Sequence, residues 1–63
     1  MKMIKVKALT PAALVWMYQN FAPSILATLD GDVVLVPADR IVNHIDIINR
    51  DGMGREIVMQ MVD

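Results

Sequence analysis

Between Ser24 and Pro37 the chain reads SILATLDGDVVLVP, two apolar runs on either side of Asp30-Gly31 with no lysine, arginine or histidine among them. Asp-Gly between β-rich runs is a strong hairpin signal. A two-residue type I′ turn needs positive φ at both central positions, which Asp tolerates and Gly adopts freely. Such a turn sets Leu29 opposite Asp32, Thr28 opposite Val33, Ala27 opposite Val34, Leu26 opposite Leu35 and Ile25 opposite Val36. One face then carries Ile25, Ala27, Val34 and Val36, and the other Leu26, Thr28, Val33 and Leu35. Neither face is charged, whereas a half-exposed antiparallel strand alternates apolar with polar. The hairpin therefore needs cover on both sides, and one short helix covers one of them. A second copy of the chain is a natural source of the rest.

Chain length sharpens that demand. Sixty-three residues make one domain, 1–63, and a domain of this size buries only about 60% of the surface its unfolded chain exposes. Small domains usually add disulfides, a metal or oligomerisation. The chain has no cysteine and a single histidine, which excludes disulfides and leaves no Cys- or His-rich metal site within one copy. Hydrophobic residues make up 56% of the chain and charged residues 21%, a large apolar load for so small an interior. The formal net charge of −1 gives no bulk attraction to nucleic acid or to an anionic membrane.

The N-terminal lysines are not followed by an apolar run and a small-residue cleavage site, so no signal peptide is read and a cytoplasmic location is expected. The uncharged run Ala8–Leu29 is long enough to span a bilayer. It is interrupted by Pro11, Gln19, Asn20, Pro23 and Ser24, so no membrane segment is expected.

Met1 to Lys7 alternates as a half-buried strand, with Ile4, Val6 and Ala8 on one face and Met3, Lys5 and Lys7 on the other. Thr10-Pro11 then opens a helix. Thr10 can cap a free N–H, Pro11 sits where its missing donor is not needed, and Leu9 and Leu14 occupy the hydrophobic-staple positions. The helix is expected from Pro11 to Asn20 or Phe21, ended by Pro23, with Leu14, Met17, Tyr18 and Phe21 facing the sheet. Its other side, with Ala12, Val15, Trp16 and Gln19, has no charge. Trp16 is a candidate interface residue there, or core if the stripe is rotated by one residue.

Pro37-Ala38-Asp39-Arg40 breaks the strand, and Ile41 and Val42 are expected to return as packing residues. His44–Arg50 and Arg55–Val62 read as a second hairpin around Gly52-Met53-Gly54. That register pairs Ile47 with Met59, Ile45 with Met61 and Arg50 with Glu56, and gives Gly54 the positive φ of a bulge. His44, Asp46, Ile48, Arg50, Glu56, Val58 and Gln60 would face outward, and Met53 would stand at the loop tip.

No set of residues amounts to a recognisable active site. Ser24, His44 and Asp46 are the sole combination available for a triad, and Ser24 is the one serine. Asp30, Asp32 and Asp39 lack EF-hand spacing. The glycines of the Gly-Met-Gly loop join strands, so they are not a phosphate loop. No cofactor is expected.

The expected fold is α+β: one helix on a small, mostly antiparallel sheet of four to five strands, in the order β-α-β-β-β-β. The expected function is a non-enzymatic, homo-oligomeric protein-binding module, with Trp16, Val15, Ile48, Met53 and Val58 as candidate partner-binding residues. The alternative is a nucleic-acid-binding regulator whose Lys2, Lys5, Lys7, Arg50 and Arg55 form a basic face across a dimer.

Overall fold

The computed structural model describes residues 2–62. Strand β1 (Met3–Ala8) leads into helix α1 (Pro11–Phe21), which runs on through a single 3-10 turn at Ala22–Ser24. Two strands follow, β2 (Ala27–Thr28) and β3 (Val33–Pro37), and then two short helices, α2 (Ala38–Val42) and α3 (Ile45–Arg50). A 3-10 turn at Met53–Arg55 precedes the last strand, β4 (Ile57–Val62). The fold is α+β, one main helix and a four-stranded antiparallel sheet in the order β2-β3-β1-β4.

β1 is a central strand because both of its backbone edges are used. Ala8 donates to the Asp32 carbonyl at 2.9 Å and Ala38 to the Lys2 carbonyl at 3.1 Å, which fixes the even-numbered residues of β1 as the hydrogen-bonded partners of β3. Leu9 donates to the Glu56 carbonyl at 2.7 Å, so the odd-numbered residues bond to β4. Side chains follow the same alternation. Ile4, Val6 and Ala8 are buried, and beside them Val34 and Val36 are fully enclosed. The core stands on that face, under α1.

α1 starts as its sequence requires: the Thr10 hydroxyl accepts from the Ala13 N–H at 3.1 Å and Pro11 occupies the first turn. The buried stripe is Ala13, Trp16, Met17 and Phe21, one residue round from the expected Leu14, Met17, Tyr18 and Phe21. The rotation has a cause outside the helix. α1 packs against the sheet and also against the α2–α3 segment. There the Phe21 ring lies 5.2 Å from the His44 ring at a tilt of 55°, and the Trp16 indole N–H donates to Asp51 Oδ2 at 2.7 Å. Trp16 is only 8% exposed and meets Phe21 edge-to-face at 5.3 Å. Tyr18, displaced to the rim, donates its hydroxyl to the Gly31 carbonyl at 2.9 Å and ties the helix to the β2–β3 turn.

Two hairpin expectations are corrected. At Asp30-Gly31 only Gly31 has positive φ (81°), so the turn is not type I′. Leu29 bonds to Val33 across a three-residue connection, Ala27 pairs with Leu35 and Thr28 with Val34. This one-residue slip exchanges the faces of Ala27 and Thr28. The Leu26 N–H donates to the Leu35 carbonyl at 2.8 Å although Ala27 is the residue in register there, so two residues face one, as in a bulge. Val34 and Val36 thus reach the core while Leu26 is left exposed.

The second hairpin does not form. Residues 45–50 are helical, and β4 pairs with β1 in place of His44–Arg50. Ile41, His44 and Ile48 lie at spacings of three and four, and Ile41 and Ile48 are buried, which is a helical stripe. Asp46 in the first turn of α3 and Arg50 in its last complement the helix dipole. Gly52 takes φ 78° just past the end and donates to the Asn49 carbonyl at 3.2 Å. The left-handed glycine is therefore Gly52 closing a helix, whereas the expectation was Gly54 in a bulge. Val42, expected to pack, is exposed, and Arg50 lies 3.7 Å from Asp51 with no ion pair to Glu56 among the described residues.

Asp51→Ala should lower stability by about 1–2 kcal/mol, because it strands a largely buried indole donor, and Asp51→Asn should cost less. Chemical denaturation followed by Trp16 fluorescence measures both, with a shifted native emission expected for Asp51→Ala.

Candidate functional site

The sheet face turned away from α1 is built by the odd-numbered residues of β1 and their partners. Three rows cross it: Pro37, Met3 and Val62; then Leu35, Lys5 and Gln60; then Val33, Lys7 and Val58. Ala27 extends the middle row, and Leu29, bonded to Val33, extends the last. No element among the described residues covers this face. A shallow hollow of about 240 Å³ lies on it, with Lys5, Lys7, Asp30 and Gln60 as polar walls and Leu29, Val33 and Val58 as apolar ones. Val58 is 48% exposed and Leu29 45%.

Two lysines in the middle of an apolar face have a simple physical account. Each can lay its methylene stem along the neighbouring valines while the ammonium reaches water. Neither is ion-paired among the described residues. The hollow thus offers two unmatched positive charges framed by aliphatic surface. Asp30, at the turn, is the one carboxylate in its lining.

The proposed partner-binding residues do not converge. Val58 lies on the open sheet face. Val15 is 56% exposed but sits on α1, in the opposite layer. Trp16 is core. Ile48, expected on an outward strand face, is 2% exposed in α3, and Met53, expected at a loop tip, is partly buried and packed against the core. The basic set separates as well. Lys5 and Lys7 share the open face, Lys2 is exposed just before β1, and Arg50 and Arg55 belong to the α3 end and the turn after it, outside the lining of the hollow. Leu29, Val33 and Gln60 join the site although they were not singled out. The signal for Val33 was its place on an uncharged strand that needed cover on both faces.

Among the described residues no hydrogen bond joins the side chains of the catalytic candidates. Ser24 ends a 3-10 turn, and His44 and Asp46 flank the start of α3, where residues two apart point in different directions. The buried His44 Nδ1 has no hydrogen-bond partner among the described residues. Asp30, Asp32 and Asp39 form no group able to hold a metal ion, and none of three or more His, Asp or Glu exists among the described residues. A second hollow, of about 280 Å³, lies where β1 runs into α1. It is lined by Leu9, Thr10, Pro11 and Leu14 with Asp32, and the Thr10 hydroxyl is already used as the helix cap. No helix among the described residues is long and apolar enough to cross a membrane.

No protein-family model, curated protein or solved structure matches this chain.

His44→Leu removes the unpartnered ring nitrogen and keeps an apolar neighbour for Phe21. It should leave stability unchanged or raise it by up to about 1 kcal/mol. A thermal melt reads this, and a large loss would mean that the imidazole makes an interaction that Leu cannot replace.

Proposed function

We propose that this chain is a non-enzymatic protein-binding module, acting in the cytoplasm as a homo-oligomer, that regulates or inhibits a partner or serves as a small subunit of an assembly. The observation that carries the reading is the open sheet face, where Val33, Leu35, Val58 and Leu29 frame Lys5 and Lys7. Apolar flanks around a pair of unmatched cations suit a protein surface that brings aliphatic side chains and at least one carboxylate to the same place. Single-stranded nucleic acid is held by aromatic side chains on which bases stack. Here Trp16 and Phe21 are in the core, and Tyr18 is on α1 and engaged with Gly31. That arrangement favours a protein partner over the nucleic-acid alternative.

The test is co-purification from the native host with wild-type protein and two double variants, Val33→Asp with Val58→Asp and Lys5→Glu with Lys7→Glu. Each variant should weaken partner capture at least tenfold with circular dichroism unchanged. Partner binding that both variants leave intact would overturn the assignment of this face. A nuclease-sensitive partner, with affinity falling steeply as salt rises, would replace the reading with nucleic-acid binding.

A further inference from the structure

β4 is an edge strand, and its outer side is bonded to no other strand among the described residues. Leu9 bonding to Glu56 sets the phase of the β1–β4 ladder: Val58, Gln60 and Val62 turn their backbone groups toward β1. The N–H and C=O of Ile57, Met59 and Met61 therefore point outward. Exposed edges are normally blunted with lysine, proline, a bulge or a covering loop. β4 reads IVMQMV, without charge or proline, and Met59 and Met61 are 39% and 53% exposed.

Resting on the homo-oligomer reading above, we propose that a second copy of this chain occupies this edge, β4 against β4 about a two-fold axis, in one register. A two-fold antiparallel pair matches each residue with one whose number completes a fixed sum. Only odd-numbered residues present free groups, so bonded pairs must join odd to odd. Centring the axis on Met59 pairs Met59 with its own copy, Ile57 with Met61 and Met61 with Ile57. Every outward group is then satisfied, giving about six backbone hydrogen bonds. Centring it on Val58 leaves Met61 unpaired, and centring it on Gln60 leaves Ile57 unpaired. In the Met59-centred register the exposed thioethers meet across the seam on the helix side, and Val58 meets Gln60 on the open side. No like charges are brought together, and the interface is self-complementary, as a two-fold contact requires.

The absence of cysteine makes register readable by single substitutions. Met59→Cys, Val58→Cys, Gln60→Cys and, as a collision control on α2, Val42→Cys are each oxidised mildly at low micromolar concentration. Bonded antiparallel neighbours lie about 5.5 Å apart at Cα, within disulfide reach. Met59→Cys should form covalent dimer at least tenfold faster than Val42→Cys, and faster than its two neighbours. Sedimentation should show a wild-type dimer that Met59→Lys with Met61→Lys converts to folded monomer.

Faster linking through Val58 or Gln60 would overturn the register. A wild-type dimer that resists the lysine substitutions, with no edge cysteine faster than the control, would overturn edge pairing while leaving the homo-oligomer reading in place. A folded wild-type monomer would overturn both.

Discussion

Lys5 and Lys7 alternate with Ile4, Val6 and Ala8 along β1, and that alternation fixes how the strand can sit in the sheet. A slip by one residue would send two ammonium groups under α1 and expose the residues that now fill the core. The same alternation operates in the plane of the sheet, where the even-numbered residues bond β3 and the odd-numbered ones bond β4. A single short strand thereby sets which face is core, which face is open and which backbone groups of β4 are left pointing outward. The remaining features, the open face and the free edge, are consequences of that one register.

Elements whose own residues contain the deciding information were legible. β1 has its period, and α1 has Thr10-Pro11 at one end and Pro23 beyond the other. The segment after Pro37 was not legible in the same way. Ile45, Ile47, Ile57, Met59 and Met61 can be matched as a hairpin, and local charge pairing supports that match. The competing claim came from β1, whose second edge had to be satisfied by something, and β4 satisfies it. With β4 taken, residues 45–50 had no strand to join, and the spacing of Ile41, His44 and Ile48 found its use as a helical stripe. Arg50 and Gly52 were helix stop signals standing in plain view. Gly52-Met53-Gly54 has the composition of a hairpin loop as well, so the local signals conflict.

The candidate surface was partly legible for a related reason. That a single short helix leaves one face of an apolar sheet without cover follows from composition and chain length, and the open face is where β1 alternation predicts it. Identifying individual residues required knowing what α1 packs against. Trp16 lies on the uncharged side of the helix by periodicity alone. Asp51, thirty-five residues away in sequence, draws the indole into the interior. Ile48 is core because the segment that carries it is a short helix whose inner side joins the buried cluster, where an outer strand would have exposed it.

The two exposed apolar regions differ in the chemistry they suit. β4 has no charge, and its free groups form a symmetric set about Met59, which favours an identical strand over a foreign one. The open face has lysines at its centre, and a second copy would bring its own lysines to the same place. Stacking two such faces would set like charges against each other with only Asp30 in each lining to answer them. An edge-paired dimer avoids this conflict. It lays the two open faces side by side in one eight-stranded sheet, with the central strands three strand spacings apart, about 14 Å. Four lysines framed by aliphatic side chains would then face the same way on one surface. Its positive charge would double, and the seam on that side would be formed by Val58 of each copy set against Gln60 of the other. An edge suited to self-pairing and a face ill-suited to it are thus compatible within one 63-residue chain, and both follow from the phase of a single strand.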